Sequence, residues 1–319
     1  MLAVLAVAFG ATAPSGPLIA RIAKQFDDHA LVQIGELHRW GQLHEFMRAM
    51  LRDPRFICRA DDVVVEFGNS RLQPIADRYG KGGKVSEAEI LSMLRETVVP
   101  LTWNSPLYRQ FLETVREVNR RRLCPHTVRL VLGDQPLDWS KIHDVQEYLP
   151  WADRDAGIAA TIEREVLAKG HRAFVVTGMA HAVKDSPEGP DASTAQIIER
   201  KHPGALFSIV AVVRKTAEAL HLAPAPSLTF VRGSDLTRAD FEKVWKLDPP
   251  KPWPAMPEVV DALLFVGEQT LIYPPPSIYL EPVYREELLR RARIVKAYSG
   301  QDFPSVIEGL VKEAEKQRP

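Results

Sequence analysis

Two tetrapeptides of one form, Gly35-Glu36-Leu37-His38 and Gly178-Met179-Ala180-His181, each place an imidazole three residues after a glycine. Histidine titrates near neutrality, and a neighbouring carboxylate tunes it for general-base work. Two more acidic groups stand in similar settings, Glu66 in Glu66-Phe67-Gly68-Asn69 and Asp134 in Gly133-Asp134-Gln135. A further pair, Arg154-Asp155, opens a helical stretch. Each residue alone has a plain alternative. A strand-end glutamate serves as readily as a helix cap or an arginine partner, and a lone histidine as a hydrogen-bonded structural residue. Their recurrence at equivalent places is what points to a site. Glu36, His38, Glu66 and His181 are the catalytic candidates. Gly35, Asp134, Arg154, Asp155 and Gly178 are the substrate-binding candidates. His38, His181 and Glu36 form a candidate ligand set for a divalent metal. No Gly-x-Ser-x-Gly elbow is present, so a serine nucleophile is not supported.

The elements that would gather these residues are short apolar runs. Ala30–Ile34, Val63–Phe67, Val128–Leu132, Ala173–Thr177, Leu206–Val213 and Ala262–Val266 read as strands. Several are apolar on successive residues, as in strands buried on both faces of a parallel sheet. Helical patterns separate them. Leu43–Leu51 carries Leu43, Phe46, Met47, Met50 and Leu51 on one stripe. Ser86 with Glu89 forms a capping box, and Pro106 starts a helix that runs to about Arg122. Asp153 starts another, with Ile158, Ile162 and Val166 inward and Gly170 at its end, and Ala195–Arg200 belongs to a fifth. This alternation predicts a three-layer α/β/α fold on a mostly parallel sheet. In such sheets ligands bind outside the carboxyl ends of the strands, where the glycines and ionisable residues fall.

The remainder of the chain differs. Ala223–Pro257 holds seven prolines (Pro224, Pro226, Pro249, Pro250, Pro252, Pro254 and Pro257) and reads as a surface excursion or cover, interrupted by a short helix over Arg238–Trp245. Helices follow over Glu281–Ala297 and Ser305–Lys316. The organisation is then a core over 14–222 that carries the site, with 223–319 packed on the same domain.

The 319 residues contain 41 basic and 41 acidic side chains, so no global field draws in nucleic acid or an anionic membrane. A small-molecule ligand held by local groups is expected. The apolar run Leu2 to Phe9 is too short to span a bilayer, which takes about 20 residues. Ala11-Thr12-Ala13 has the form of a signal-peptidase site, so 1–13 read as a signal-peptide remnant and the protein as exported, periplasmic or extracellular. An apolar N-terminal element packed on the core is the alternative. Cys58 and Cys124 each precede a strand, at its amino end and away from the site. A bridge between them is open, as are two free buried thiols. Of the other histidines, His44 is placed on the polar flank of its helix. His126, His143, His171, His202 and His221 fall in loops or at helix ends, where solvation is expected.

At the motif residues the chain resembles the superfamily of Tiki, TraB, ChaN and erythromycin esterases. Ile34-Gly35-Glu36-Leu37-His38 resembles the Gly-Glu-x-His opening of the ChaN type. Val64-Val65-Glu66-Phe67 resembles the next strand with its acidic end, and Arg116-Glu117-Val118-Asn119 resembles the esterase branch. Arg154 to Ala159 resembles the Arg-Asp helix start, and Val175 to His181 the second Gly-x-x-His. The likeness spans about residues 28–185. It departs from the esterases in two ways: their first Glu and His stand one residue further apart, and their fourth motif strand carries more than one histidine. The resemblance implies either an ester or amide hydrolase or, in the ChaN branch, non-covalent haem binding. For the haem reading, Trp245 to Trp253 could supply an apolar wall. A third outcome is a member with a quiet pocket. The cofactors implied are a divalent metal or haem.

Overall fold

The computed structural model describes residues 16–316 except 100, 190 and 248, so the expected signal segment at 1–13 lies outside the described residues. Seven strands form one sheet: β1 Leu31–Glu36, β2 Asp62–Asn69, β3 Arg129–Asp134, β4 Ala173–Gly178, β5 Leu206–Ala211, β6 Ser227–Phe230 and β7 Ala262–Phe265. Their order is β3-β2-β4-β1-β5-β7-β6. All pairings are parallel except β6 with β7. The six expected strands are present. β6 is an addition from the proline-rich segment. It is short and only partly buried, and an edge strand there weakens the apolar signal by which a buried strand is recognised.

Helices cover both faces. On one lie α1 (Gly16–Ala23), α2 (Gly41–Arg52), α3 (Gln73–Gly80), α4 (Glu87–Arg95) and α5 (Pro106–Arg120). They pack on Val32, Ile34, Val63, Val65, Leu132 and Val176. The opposite face takes α6 (Arg154–Glu165) and α7 (Thr194–Lys201), which bury Ile158, Ile162 and Ile198 against Val64, Val131 and Val175. The fold is the expected three-layer α/β/α arrangement. α4 starts in the expected capping box, with Ser86 and Glu89 each bonding the other's backbone. α5 and α6 are capped by Ser105 and Asp153. Two long helices, α8 (Pro282–Ser299) and α9 (Phe303–Lys316), close the chain. No helix among the described residues is long and apolar enough to cross a membrane.

Some expectations need correction. Arg238–Trp245 is not a helix but falls on two separate 3-10 turns, Asp235–Arg238 and Phe241–Lys243. Ser234 and Asp240 each cap a turn of their own, which restarts the backbone between them. Of the two alternatives left open for Cys58 and Cys124, the structure holds the disulfide, with Cα atoms 5.1 Å apart. His126 and His171 are not simply solvated. The His126 ring bonds the Ala60 carbonyl at 2.9 Å, and His171 Nδ1 lies 2.8 Å from the buried Asp62 carboxylate.

Candidate functional site

Alternation along a strand sends neighbouring side chains to opposite faces. In β1, Glu36 follows Val32 and Ile34 toward α2. In β2, Glu66 follows Val64 toward α6. The two carboxylates therefore sit at the same end of the sheet but under different helices. β4 runs between their strands and ends at Gly178.

On the α2 side Glu36 is buried between two imidazoles. Its Oε2 lies 2.6 Å from His44 Nε2, and its Oε1 lies 3.2 Å from His38 Nδ1. Burial opposes the charge on Glu36, but the two histidines outweigh it and hold its pKa below the ordinary value. An ionised carboxylate only accepts hydrogen bonds, so the proton sits on His38 Nδ1 and His44 Nε2. The His38 side chain is 36% exposed, and its Nε2 has no hydrogen-bond partner among the described residues. Burial works against its charged form, while the bond to Glu36 raises its pKa to a net value above normal. The His38 ring meets the edge of Trp103 at a centroid distance of 4.9 Å.

On the α6 side Glu66 faces cations. Its Oε1 lies 2.9 Å from Arg154 Nη2 and 3.2 Å from His181 Nε2, while its Oε2 accepts the Gly178 amide. Burial raises the Glu66 pKa, yet His181 and Arg154 pull it well below normal. His181 Nδ1 lies 2.6 Å from Asp155 Oδ1. His181 thus has a carboxylate close to each ring nitrogen, Asp155 in hydrogen-bond contact and Glu66 at ion-pair distance, which favours the protonated ring. Burial disfavours that charge, but Glu66 and Asp155 override it and raise the pKa to about 10. Asp155 also accepts from the Thr194 hydroxyl at 2.8 Å.

Asp134 is brought to this cluster but sealed beneath it. It is fully buried and accepts the Val98 amide at 2.9 Å and Arg154 Nε at 3.2 Å. Burial raises its pKa, against the pull of Arg154. It anchors Arg154 from a position without solvent exposure. Gly35 is likewise a packing residue. A Cβ there would come within 2.6 Å of the Ala182 side chain, so its bare Cα lets the turn Met179–Ala182 close on β1. Gly178 stands between the halves. A Cβ on it would meet His38 Cε1 at 2.9 Å, His38 Nε2 at 3.1 Å and Glu66 Oε2 at 3.4 Å.

The metal set His38, His181 and Glu36 is not assembled. Among the described residues no group of three or more His, Cys, Asp or Glu side chains is arranged to hold a metal ion. The reason is local: both nitrogens of His181 are engaged by carboxylates, and Glu36 is taken up by two imidazoles. His44 also departs from expectation. It is fully buried, against Tyr108 and Phe111, and supports Glu36. Expected on the polar flank of its helix, one turn from the site, it turns inward instead. The available signal was its place eight residues after Glu36, one turn into α2, on the stripe of Leu43, Met47 and Leu51.

The loop of the first motif is clamped by the segment after β7. The Trp40 indole bonds the Glu268 carbonyl at 2.7 Å, Gly41 N the Thr270 carbonyl at 2.8 Å, and Ile272 N the Arg39 carbonyl at 2.9 Å.

No known family profile and no curated protein matches the chain. Solved structures share its fold. A succinoglycan biosynthesis protein overlays with a TM-score of 0.56 at 10% identity, over 81% of this chain and 92% of that one. A protein from Bacillus cereus gives a TM-score of 0.53 at 11% identity, over 82% and 92%. ChaN of Campylobacter jejuni, solved with cofacial haem, overlays more loosely, with a TM-score of 0.39 at 13% identity over 61% and 85%. At these identities the first two likenesses establish the fold alone, and the third carries no argument.

Proposed function

We propose that the protein is an exported hydrolase of ester or amide bonds, a member of the superfamily its motifs resemble, with His38 as general base. One observation carries this reading: an accessible imidazole whose Nδ1 is bonded to a buried, ionised carboxylate and whose Nε2 has no partner among the described residues. In the hydrolytic step His38 Nε2 takes a proton from water as the oxygen attacks the carbonyl. Glu36 fixes the tautomer and stabilises the imidazolium that forms. His44 holds Glu36 from behind. Glu66 also favours the imidazolium of His38, and more than Arg154, which is paired with Glu66 and Asp134, opposes it. His181, with both nitrogens engaged, holds Glu66 and Asp155 in place and does not act as a base. The Cys58–Cys124 bridge supports the exported location, since disulfides persist in oxidising compartments.

The test is turnover of simple para-nitrophenyl esters by the purified chain. His38→Ala is expected to lower kcat/KM by about a thousandfold, within the usual range for a general base, with the circular dichroism spectrum unchanged. Because the His38 pKa is raised, kcat/KM should climb through a value above 6.5. Absence of turnover together with a Soret band on adding haem, lost in His38→Ala, would replace this reading with haem binding.

A further inference from the structure

We infer that Arg39 and Tyr273 form an oxyanion-binding subsite beside His38, so that the substrate carries a carboxylate or comparable anionic group near its scissile bond. This rests on the hydrolase reading for the word substrate, but the subsite itself does not.

Arg39 immediately follows His38 and adopts a left-handed backbone, with φ of 69°. A non-glycine residue held there costs about 1–3 kcal/mol, and such residues cluster where a side chain must be aimed. Two bonds impose the conformation: the Arg39 amide donates to the Tyr108 hydroxyl at 3.2 Å, and its carbonyl accepts from Ile272 N at 2.9 Å. The guanidinium carbon then lies 5.2 Å from the centroid of the Tyr273 ring, which is 58% exposed. Cation–π contact of this kind orients an arginine without neutralising it.

Among the described residues the Arg39 guanidinium makes no hydrogen bond and no ion pair, and its Nε is shielded from water without a partner. Arg154, at the same end of the sheet, has two carboxylates. Arg95, Arg129, Arg290 and Arg291 likewise have acidic partners. Arg39, the residue after the accessible histidine, therefore keeps a planar fork, the four donors of its two Nη groups, without a partner among the described residues. Such a fork matches the two oxygens of a carboxylate, and would also accept a phosphate.

The experiment compares mono-para-nitrophenyl adipate with para-nitrophenyl heptanoate, esters of like length that end in a carboxylate and a methyl group. The wild type is expected to favour the adipate ester in kcat/KM by about tenfold, the scale of one charge-assisted pair. Arg39→Met should erase the preference and Arg39→Lys should retain part of it. In parallel, free adipate and inorganic phosphate are titrated while the Arg39 Nε–H signal is followed by NMR, assigned by its loss in Arg39→Met. A shift with adipate supports the subsite, and a shift with phosphate alone assigns it to phosphate esters. Equal turnover of both esters with no shift overturns the subsite. A shift without turnover of either ester leaves the subsite standing and removes the hydrolase. Neither shift nor turnover removes both.

Discussion

The two buried glutamates at the carboxyl end of the sheet do opposite work. Glu36 is flanked by imidazoles, one sealed in the core and one open to solvent. Glu66 is flanked by Arg154 and by a histidine whose two nitrogens are both taken. The same residue type on parallel strands has been given different surroundings by the alternation of β1 and β2, which points one at α2 and the other at α6. An arrangement with a free nitrogen at its end can move a proton. An arrangement closed at both ends can only hold charge. The lesson is that a matched pair of motifs need not be a matched pair of catalytic groups.

The comparison makes stability the measure of one half and activity the measure of the other. The largest effect is expected at Glu66. Glu66→Gln leaves Arg154 and His181 with less negative charge than they were built around, and breaking a buried pair costs about 3–5 kcal/mol. Urea unfolding should show that loss. A variant as stable as the wild type would mean the α6 side is not held by charge.

The next effect is one of pH. The His181 pKa is raised from 6.5 to about 10 in the fold. Its contribution is therefore complete below 6.5 and is lost as pH rises through about 10, with a slope approaching about 1.4 kcal/mol per pH unit. The Glu66 pKa is lowered, so its contribution is present above 4.5 and is lost as pH falls further. Unfolding measured across this range should show the alkaline slope in the wild type and a flattened one in His181→Gln. On the other side, Glu36→Gln should cost less stability than Glu66→Gln but lower kcat/KM by about a hundredfold, the scale of proton-transfer catalysis. It should also move the rising limb of the pH–rate profile to lower pH, because the carboxylate is what raises the His38 pKa.

Much of this was legible in the chain. The six buried strands showed as short runs rich in Val, Ile, Leu and Phe, several of them apolar on successive residues, and their carboxyl ends carry Glu36, His38, Glu66, Asp134 and His181, with Arg154 at the start of the helix beside them. What did not show was which partner each group would take. Sequence order does not reveal that β4 lies between β1 and β2, so it could not tell that Glu66 would reach His181 and leave Glu36 to His38. His44 was hidden because a buried histidine among apolar neighbours looks, in one dimension, like any polar residue at the edge of a stripe. Asp134 looked ligand-facing because Gly133 precedes it, yet the Val98 amide and Arg154 close over it. β6 follows Pro224 and Pro226, which suppress the periodic signal on which a strand is read, and the clamp at Glu268–Ile272 bonds through backbone groups, which side-chain patterns do not report.

The smallest expected effect falls where the halves meet. Gly178 lacks the one atom that would occupy the space between the His38 ring and the Glu66 carboxylate. In Gly178→Ala the new methyl would press on His38 at 2.9 Å and 3.1 Å and only touch Glu66 at 3.4 Å. His38 is the end of a part-exposed side chain and can swing away, whereas Glu66 is fixed by Arg154, His181 and the residue 178 amide. The strain should therefore be relieved almost wholly on the His38 side. Stability should fall by about 1 kcal/mol, the low end for an added methyl in a packed site. Activity should fall by about tenfold as His38 Nδ1 leaves Glu36, since proximity and alignment are what the dyad supplies. A ring NMR spectrum would show the His38 signals displaced and those of His181 unmoved. If His181 moves as much as His38, the two halves are one coupled network, and the division drawn from Glu36 and Glu66 fails.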